Sequence, residues 1–243
     1  MRKHLLSALE DYQDLDLQKW TFEPPYEPLI HRWSRISHIP ESGPDPAESE
    51  AITYLVEFLR PVLAPILDSV AQTEETGLVT FDRIWHIFPP DAIVLTTFYG
   101  VETACRVTQC EQVDDERDPY WKITMEYVDW NGEYCGYDST SATIYYFEKT
   151  RRVTSLPVYP ISFHADGKEI TDRFVKRGRK FESLRGYHFQ TCVGSKILRE
   201  NASRAERAVS GRVIIDTYAY YHSNSLVKPK LAPLEGQANR TKV

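Results

Sequence analysis

The sequence predicts an α+β fold: a β-rich antiparallel sheet or barrel-like core with an N-terminal kinked helix and a few short helices. Three observations predict it. From Gly77 to Tyr221, short β-branched and aromatic runs recur, and most are closed by a turn signal. Before Gly77, one long apolar run follows helical spacing. Strands and helices do not alternate, so a parallel nucleotide-binding sheet is not indicated.

Residues 1–45 are polar, aromatic and interrupted by Pro24, Pro25, Pro28, Pro40 and Pro44. Prolines at that density break long helices, so this stretch is predicted as an extended arm, with short helical turns near Leu5–Tyr12. A β-rich domain is predicted over 46–223. It opens with a helix over 46–72, which Asp45 caps, Pro46 starts and Glu48 supports as the capping-box acid. Ile52, Leu55, Val56, Leu59, Val62, Leu63, Ile66, Leu67 and Val70 form its apolar face. Pro61 and Pro65 predict a kink or a split.

Leu78–Phe81 and Ile84–Phe88 then read as β, and Pro89-Pro90-Asp91 as a turn. Ile93–Tyr99, Ala104–Gln109 and Trp121–Trp130 are strands, and Asn131-Gly132 is a tight hairpin turn. Ala142–Phe147 and Val153–Tyr159 continue the meander. Glu169–Arg177 is a short helix that Gly178 stops in the left-handed cap conformation. Tyr187–Val193 and Arg212–Tyr221 are strands, and Ser195–Ala208 between them has helical composition. Residues 224–243 are polar and read as a disordered tail.

The chain has 243 residues, a net charge of −6 and a pI near 5.7. An acidic chain gives no support to a phosphate-backbone partner. No stretch reaches the ~20 apolar residues that a membrane helix needs, and a leader-like N-terminus is broken by Glu10 and Asp11. The reading is an intracellular protein, cytoplasmic or nuclear. Cys105, Cys110, Cys135 and Cys192 form no C-x-x-C pair and read as free thiols.

Catalytic signatures are sparse. Gly194-Ser195-Lys196 is the nearest approach to a phosphate loop, but it lacks the upstream glycine, and Ile197 follows the lysine. No histidine stands at ligand spacing from another histidine or a cysteine. No catalytic residue, cofactor or metal is predicted. The acidic run Asp114, Asp115, Glu116, Asp118 lacks the glycine and alternation of a calcium loop. Arg173, Lys176, Arg177, Arg179, Lys180 and Arg185 form the dense basic cluster, and the first five are the candidate partner-binding set. The bland alternative is a solvated helix face.

A family resemblance joins several of these pieces. They are Val79-Thr80-Phe81 with Ile84-Trp85-His86-Ile87-Phe88, then Val128-Asp129-Trp130-Asn131-Gly132 with Gly136, then Leu156-Pro157-Val158-Tyr159-Pro160. Arg177-Gly178-Arg179-Lys180-Phe181 and Gly211-Arg212-Val213-Ile214-Ile215-Asp216 complete the set. In that order and spacing the chain resembles a domain of unknown function of filamentous-fungal proteins, found N-terminal to an AAA+ ATPase module. Pro89-Pro90-Asp91 departs from the proline-glycine turn expected there. The resemblance implies structural roles for Trp85, Asp129, Gly132, Gly178, Arg212 and Asp216. It assigns no catalytic residue.

By analogy with domains that precede AAA+ rings, the expectation is a non-catalytic recognition domain for a protein client or adaptor, with the ATPase in cis in longer relatives. Surfaces near the 46–72 helix or Arg177 would carry the contact, and exposed apolar residues there would support it. Two alternatives stand beside it. One is an enzyme whose site assembles from His164, His188, Cys192, Asp129 or Asp216 in a barrel pocket. The other is a weak nucleic-acid binder using the cluster at Arg177.

Overall fold

The computed structural model describes residues 22–42, 46–98, 100–115, 118–200, 203–224 and 228–234. Leu5–Tyr12 and the Asp45 cap lie outside them.

Two short helices come first, α1 (Glu27–His31) and α2 (Trp33–Ser42). They correct the reading of an extended arm. Leu29, Ile30 and Ile36 are buried in the main core, so tertiary contact holds helical a stretch whose prolines argue against it. Pro28 sits in the first turn of α1, where the missing N–H costs no hydrogen bond.

Helix α3 (Pro46–Thr76) runs through Pro61 and Pro65, with no split into two helices, and extends past residue 72. Both prolines are exposed. The carbonyls that their missing N–H groups would otherwise engage therefore lie on the water side, where solvent can satisfy them. Ile52, Val56 and Leu63 bury the opposite face.

The sheet is open and antiparallel, with six strands. Its members are β2 (Ile93–Phe98), β3 (Val101–Val113), β4 (Tyr120–Trp130), β5 (Cys135–Tyr145), β7 (Val158–Pro160) and β10 (Ala232–Pro233), in the spatial order β10-β5-β4-β3-β2-β7. A small ladder joins β1 (Leu78–Thr80) to β6 (Thr150–Arg152). Strand β4 shows the alternation that the sequence predicts: Trp121, Ile123 and Met125 are buried and the residues between them are not. An irregularity between Val107 and Gln109 in β3 shifts the register, so Cys105, Val107 and then Cys110 pack toward the core.

Ile84–Phe88 is not a strand. Phe81–Ile87 forms a 3-10 helix, and Phe81, Ile84, Trp85, His86 and Ile87 are all buried. Trp121 donates its Nε1 hydrogen to the Phe81 carbonyl at 2.8 Å. At the following turn Asp91 takes φ +68°, the left-handed conformation suited to glycine. The expected proline-glycine turn thus keeps a glycine-like backbone with an aspartate in place.

Five further corrections concern the chain from residue 153 onward. Val153–Ser155 is a 3-10 turn that precedes the short β7. Helix α4 (Gly167–Ser183) passes through Gly178, which has no left-handed φ and caps nothing; the helix ends at Leu184, and Gly186 supplies the positive φ (+91°). The described residues of Ser195–Ala208, 195–200 and 203–208, are strand and not helix: β8 (Tyr187–Glu200) and β9 (Ser203–Asp216) pair antiparallel in continuous register. The chain turns helical at Asp216, in α5 (Thr217–Ser223). Residues 228–234 of the expected tail are placed against the sheet. Leu231 is buried, and Ala232–Pro233 pairs with β5.

Candidate functional site

A groove lies where the end of β4, the C-terminal end of α4, the base of β9 and α5 converge. Its volume is about 470 Å³. Asp129 and Trp130 line it from β4, Phe181, Leu184 and Arg185 from α4 and its cap, Ile214, Ile215 and Asp216 from β9, and Thr217, Tyr220 and Tyr221 from α5.

Local chemistry holds each wall. The connection from β4 to β5 has four residues, 131–134, and is not a two-residue turn. Asn131 is buried and organises it: its Oδ1 accepts from the Glu133 and Tyr134 amides, each at 3.0 Å. Gly132 has φ +94°, and a Cβ there would stand 2.8 Å from Tyr218 Cα. The start of α5 can approach the loop because this residue has no side chain. Asp216 caps α5 by accepting from the Ala219 amide at 2.9 Å. The structural roles implied for Gly132 and Asp216 thus acquire a physical basis.

Helix α4 is anchored by buried Ile170 and by two arginines at the β2–β3 end of the sheet. Arg173 is paired with the Glu102 carboxylate, and Arg177 Nη1 donates to the Glu102 carbonyl at 2.6 Å. The guanidinium of Arg177 lies 4.5 Å from the Phe174 ring centroid. The basic cluster therefore divides. Arg173 and Arg177 tie the helix down, while Lys176, Arg179 and Lys180 are exposed, and no carboxylate among the described residues pairs with them.

In the groove, Arg185 lies over the Trp130 ring at 5.6 Å and pairs with Glu182 at 3.1 Å. The Trp130 indole N–H is buried without a hydrogen-bond partner, which costs ~1–3 kcal/mol in a folded protein. Asp129 accepts from the Trp130 amide at 2.7 Å. Burial raises its pKa, the hydrogen bond to that amide opposes the rise, and the charge of Asp138 adds to it.

Other sequence-predicted residues fall elsewhere. Trp85 is in the core, with its ring edge-on to His31 and His86. Arg212 lies on the hairpin, 5.8 Å from the Phe189 ring centroid. Gly178 is an exposed helical residue. Asp129 and Asp216 share the groove, but His164, His188 and Cys192 do not line it. His164 stacks on Tyr159, and His188 Nε2 bonds the Arg185 carbonyl at 2.8 Å. Of the groove residues, Arg185 belongs to the basic cluster read from the sequence, whereas Phe181, Tyr220 and Tyr221 are not predicted there as site residues. The aromatic density of 218–221 was the one local signal.

The 46–72 helix also exposes apolar side chains. Tyr54, Phe58 and Val62 stand at i, i+4 and i+8 on the solvent face of α3, which corrects the placing of Val62 on the apolar face.

Residues 69–165 match the family model described as a domain of unknown function, DUF7025. The match covers the α3 end, the 3-10 segment and the sheet up to β7. It excludes α4, the hairpin and α5, so most of the groove lies outside it. No curated protein and no solved structure matches the chain. The four cysteines are free thiols, and no helix among the described residues is long and apolar enough to cross a membrane.

Proposed function

We propose that the chain is a non-catalytic recognition domain that binds a protein client or adaptor in the groove between β4, α4, β9 and α5. The observation that carries this reading is the composition of the groove. Apolar and aromatic side chains from four elements line it: Trp130 from β4, Phe181 and Leu184 from α4 and its cap, Ile214 from β9 and Tyr220 from α5. An extended protein segment would offer apolar side chains to Phe181, Ile214 and Tyr220. The expected kinship with N-terminal domains of fungal AAA+ ATPase-like proteins fits this role: the ATPase, in cis in longer relatives, would act on what this domain holds.

The test is photo-cross-linking from position 220, with position 58 on α3 and position 145 on β5 as comparisons, followed by reconstitution with the purified partner. The expected result is one partner captured from 220 alone, whose binding to the pure chain weakens at least tenfold with Phe181→Glu. Capture from 58 and not 220 would move the client to α3 and overturn the groove assignment. Equal capture from all three positions would overturn recognition at this site altogether.

A further inference from the structure

The β8–β9 hairpin has two outer edges, and they differ in chemistry. Among the described residues neither edge is joined to another strand. An open edge presents a row of unpaired amides and carbonyls, and proteins guard such edges with charge, proline or bulges. Residues 208–216 of β9 carry two charged side chains, Arg212 and Asp216. Residues 187–195 of β8, Tyr-His-Phe-Gln-Thr-Cys-Val-Gly-Ser, contain no charged residue and no proline. Their register against β9 runs without a bulge. Tyr187, Phe189 and Val193 on this stretch, with Ile214 opposite Phe189, are 66%, 58%, 82% and 60% exposed.

The unguarded stretch is also complementary to itself. Turned antiparallel about Thr191, Phe189 faces Val193 of a second copy, an aromatic against a β-branched residue, which is a favourable cross-strand pair. His188 faces Gly194, where an aromatic ring can cover the bare backbone. Gln190 faces Cys192, and Tyr187 faces Ser195. No like charges meet. We infer that two copies of this chain pair through the outer edges of their β8 strands, antiparallel about Thr191, to form a four-stranded sheet.

The groove is built from β9 and not from β8, so each copy keeps its own groove in the dimer. The pairing therefore does not depend on the proposed client. The contact is a single strand edge, small beside stable interfaces, so the association is weak and depends on concentration.

Sedimentation velocity on the full chain from 1 to 100 μM tests this. The expected result is a concentration-dependent monomer–dimer equilibrium. Thr191→Lys and Thr191→Glu, each alone, place like charges across the axis and weaken association at least tenfold. An equimolar mixture of the two restores it, which a misfolded variant would not do. Unfolding midpoints at low concentration should match the parent chain. A chain that stays monomeric at 100 μM, a Thr191→Lys variant that dimerises like the parent, or a mixture that fails to associate would each overturn the inference.

Discussion

The six-stranded sheet and the β8–β9 hairpin are both antiparallel, yet they hold themselves together differently. In the sheet, β4 lies between β3 and β5, and its inward residues Trp121, Ile123 and Met125 are sealed beneath α1–α3 and the 3-10 segment. All of its strands except the two-residue edge strand β10 contribute buried residues. The hairpin has strands of 14 residues, but its large apolar side chains are mostly in water, and two-stranded ribbons are marginal alone. The difference suggests a division of labour. One region supplies stability, and the other supplies surface for something else to complete.

The largest effects should come from the sealed side. Ile123→Ala removes a side chain with no exposed surface and should cost about 3–5 kcal/mol in denaturant unfolding. Phe189→Ala on the ribbon should stay within about 0.5 kcal/mol. Equal losses would erase the contrast.

Acid should act on the sealed side too. Burial lowers the pKa of His31 to about 4, and the nearby charges of Arg32 and His86 push the same way against the Trp85 hydrogen bond. Burial, then Arg83, lowers that of His86 to about 4. Both folded values lie below the ordinary 6.5, so the unfolded chain binds protons that the folded chain excludes. Stability from these groups is complete above about pH 6.5, falls as the pH drops, and levels off near pH 4. The loss should be roughly 3 kcal/mol for His31 and about half that for His86, whose charged neighbours are screened by solvent. Unfolding midpoints between pH 8 and 4 would check this, and His86→Leu should flatten the slope.

Two glycines sharpen the comparison further. Gly132→Ala forces a side chain against Tyr218 in a left-handed conformation and should cost about 2–3 kcal/mol, disturbing α5 and the groove. Gly178→Ala meets nothing within 4 Å and should stabilise the exposed helix by about 0.5–1 kcal/mol. Thermal melts of the pair distinguish a required glycine from a tolerated one.

Legibility in the sequence follows the same divide. The alternation of β4 and the apolar face of α3 were readable because one periodicity held along each element. Ile84–Phe88 was not, because a run buried on all sides shows neither period 2 nor period 3.6, and apolar content alone favours a strand. Ser195–Ala208 is rich in Ala, Arg and Glu, yet pairing with the preceding strand overrides that helical preference. Gly178 read as a stop because the ties from Arg173 and Arg177 to Glu102, which hold α4 in place, span more than 70 residues. The groove was invisible for the same reason: Trp130, Phe181, Ile214 and Tyr220 meet only after the chain folds.

Amide hydrogen exchange on the dilute chain tests the central comparison most directly. Amides of β4 should exchange only with global unfolding, and those of β8 and β9 at least about 100-fold faster through local opening. Ribbon amides as protected as those of β4 at low concentration would contradict the account, because the hairpin would then be part of the stable body.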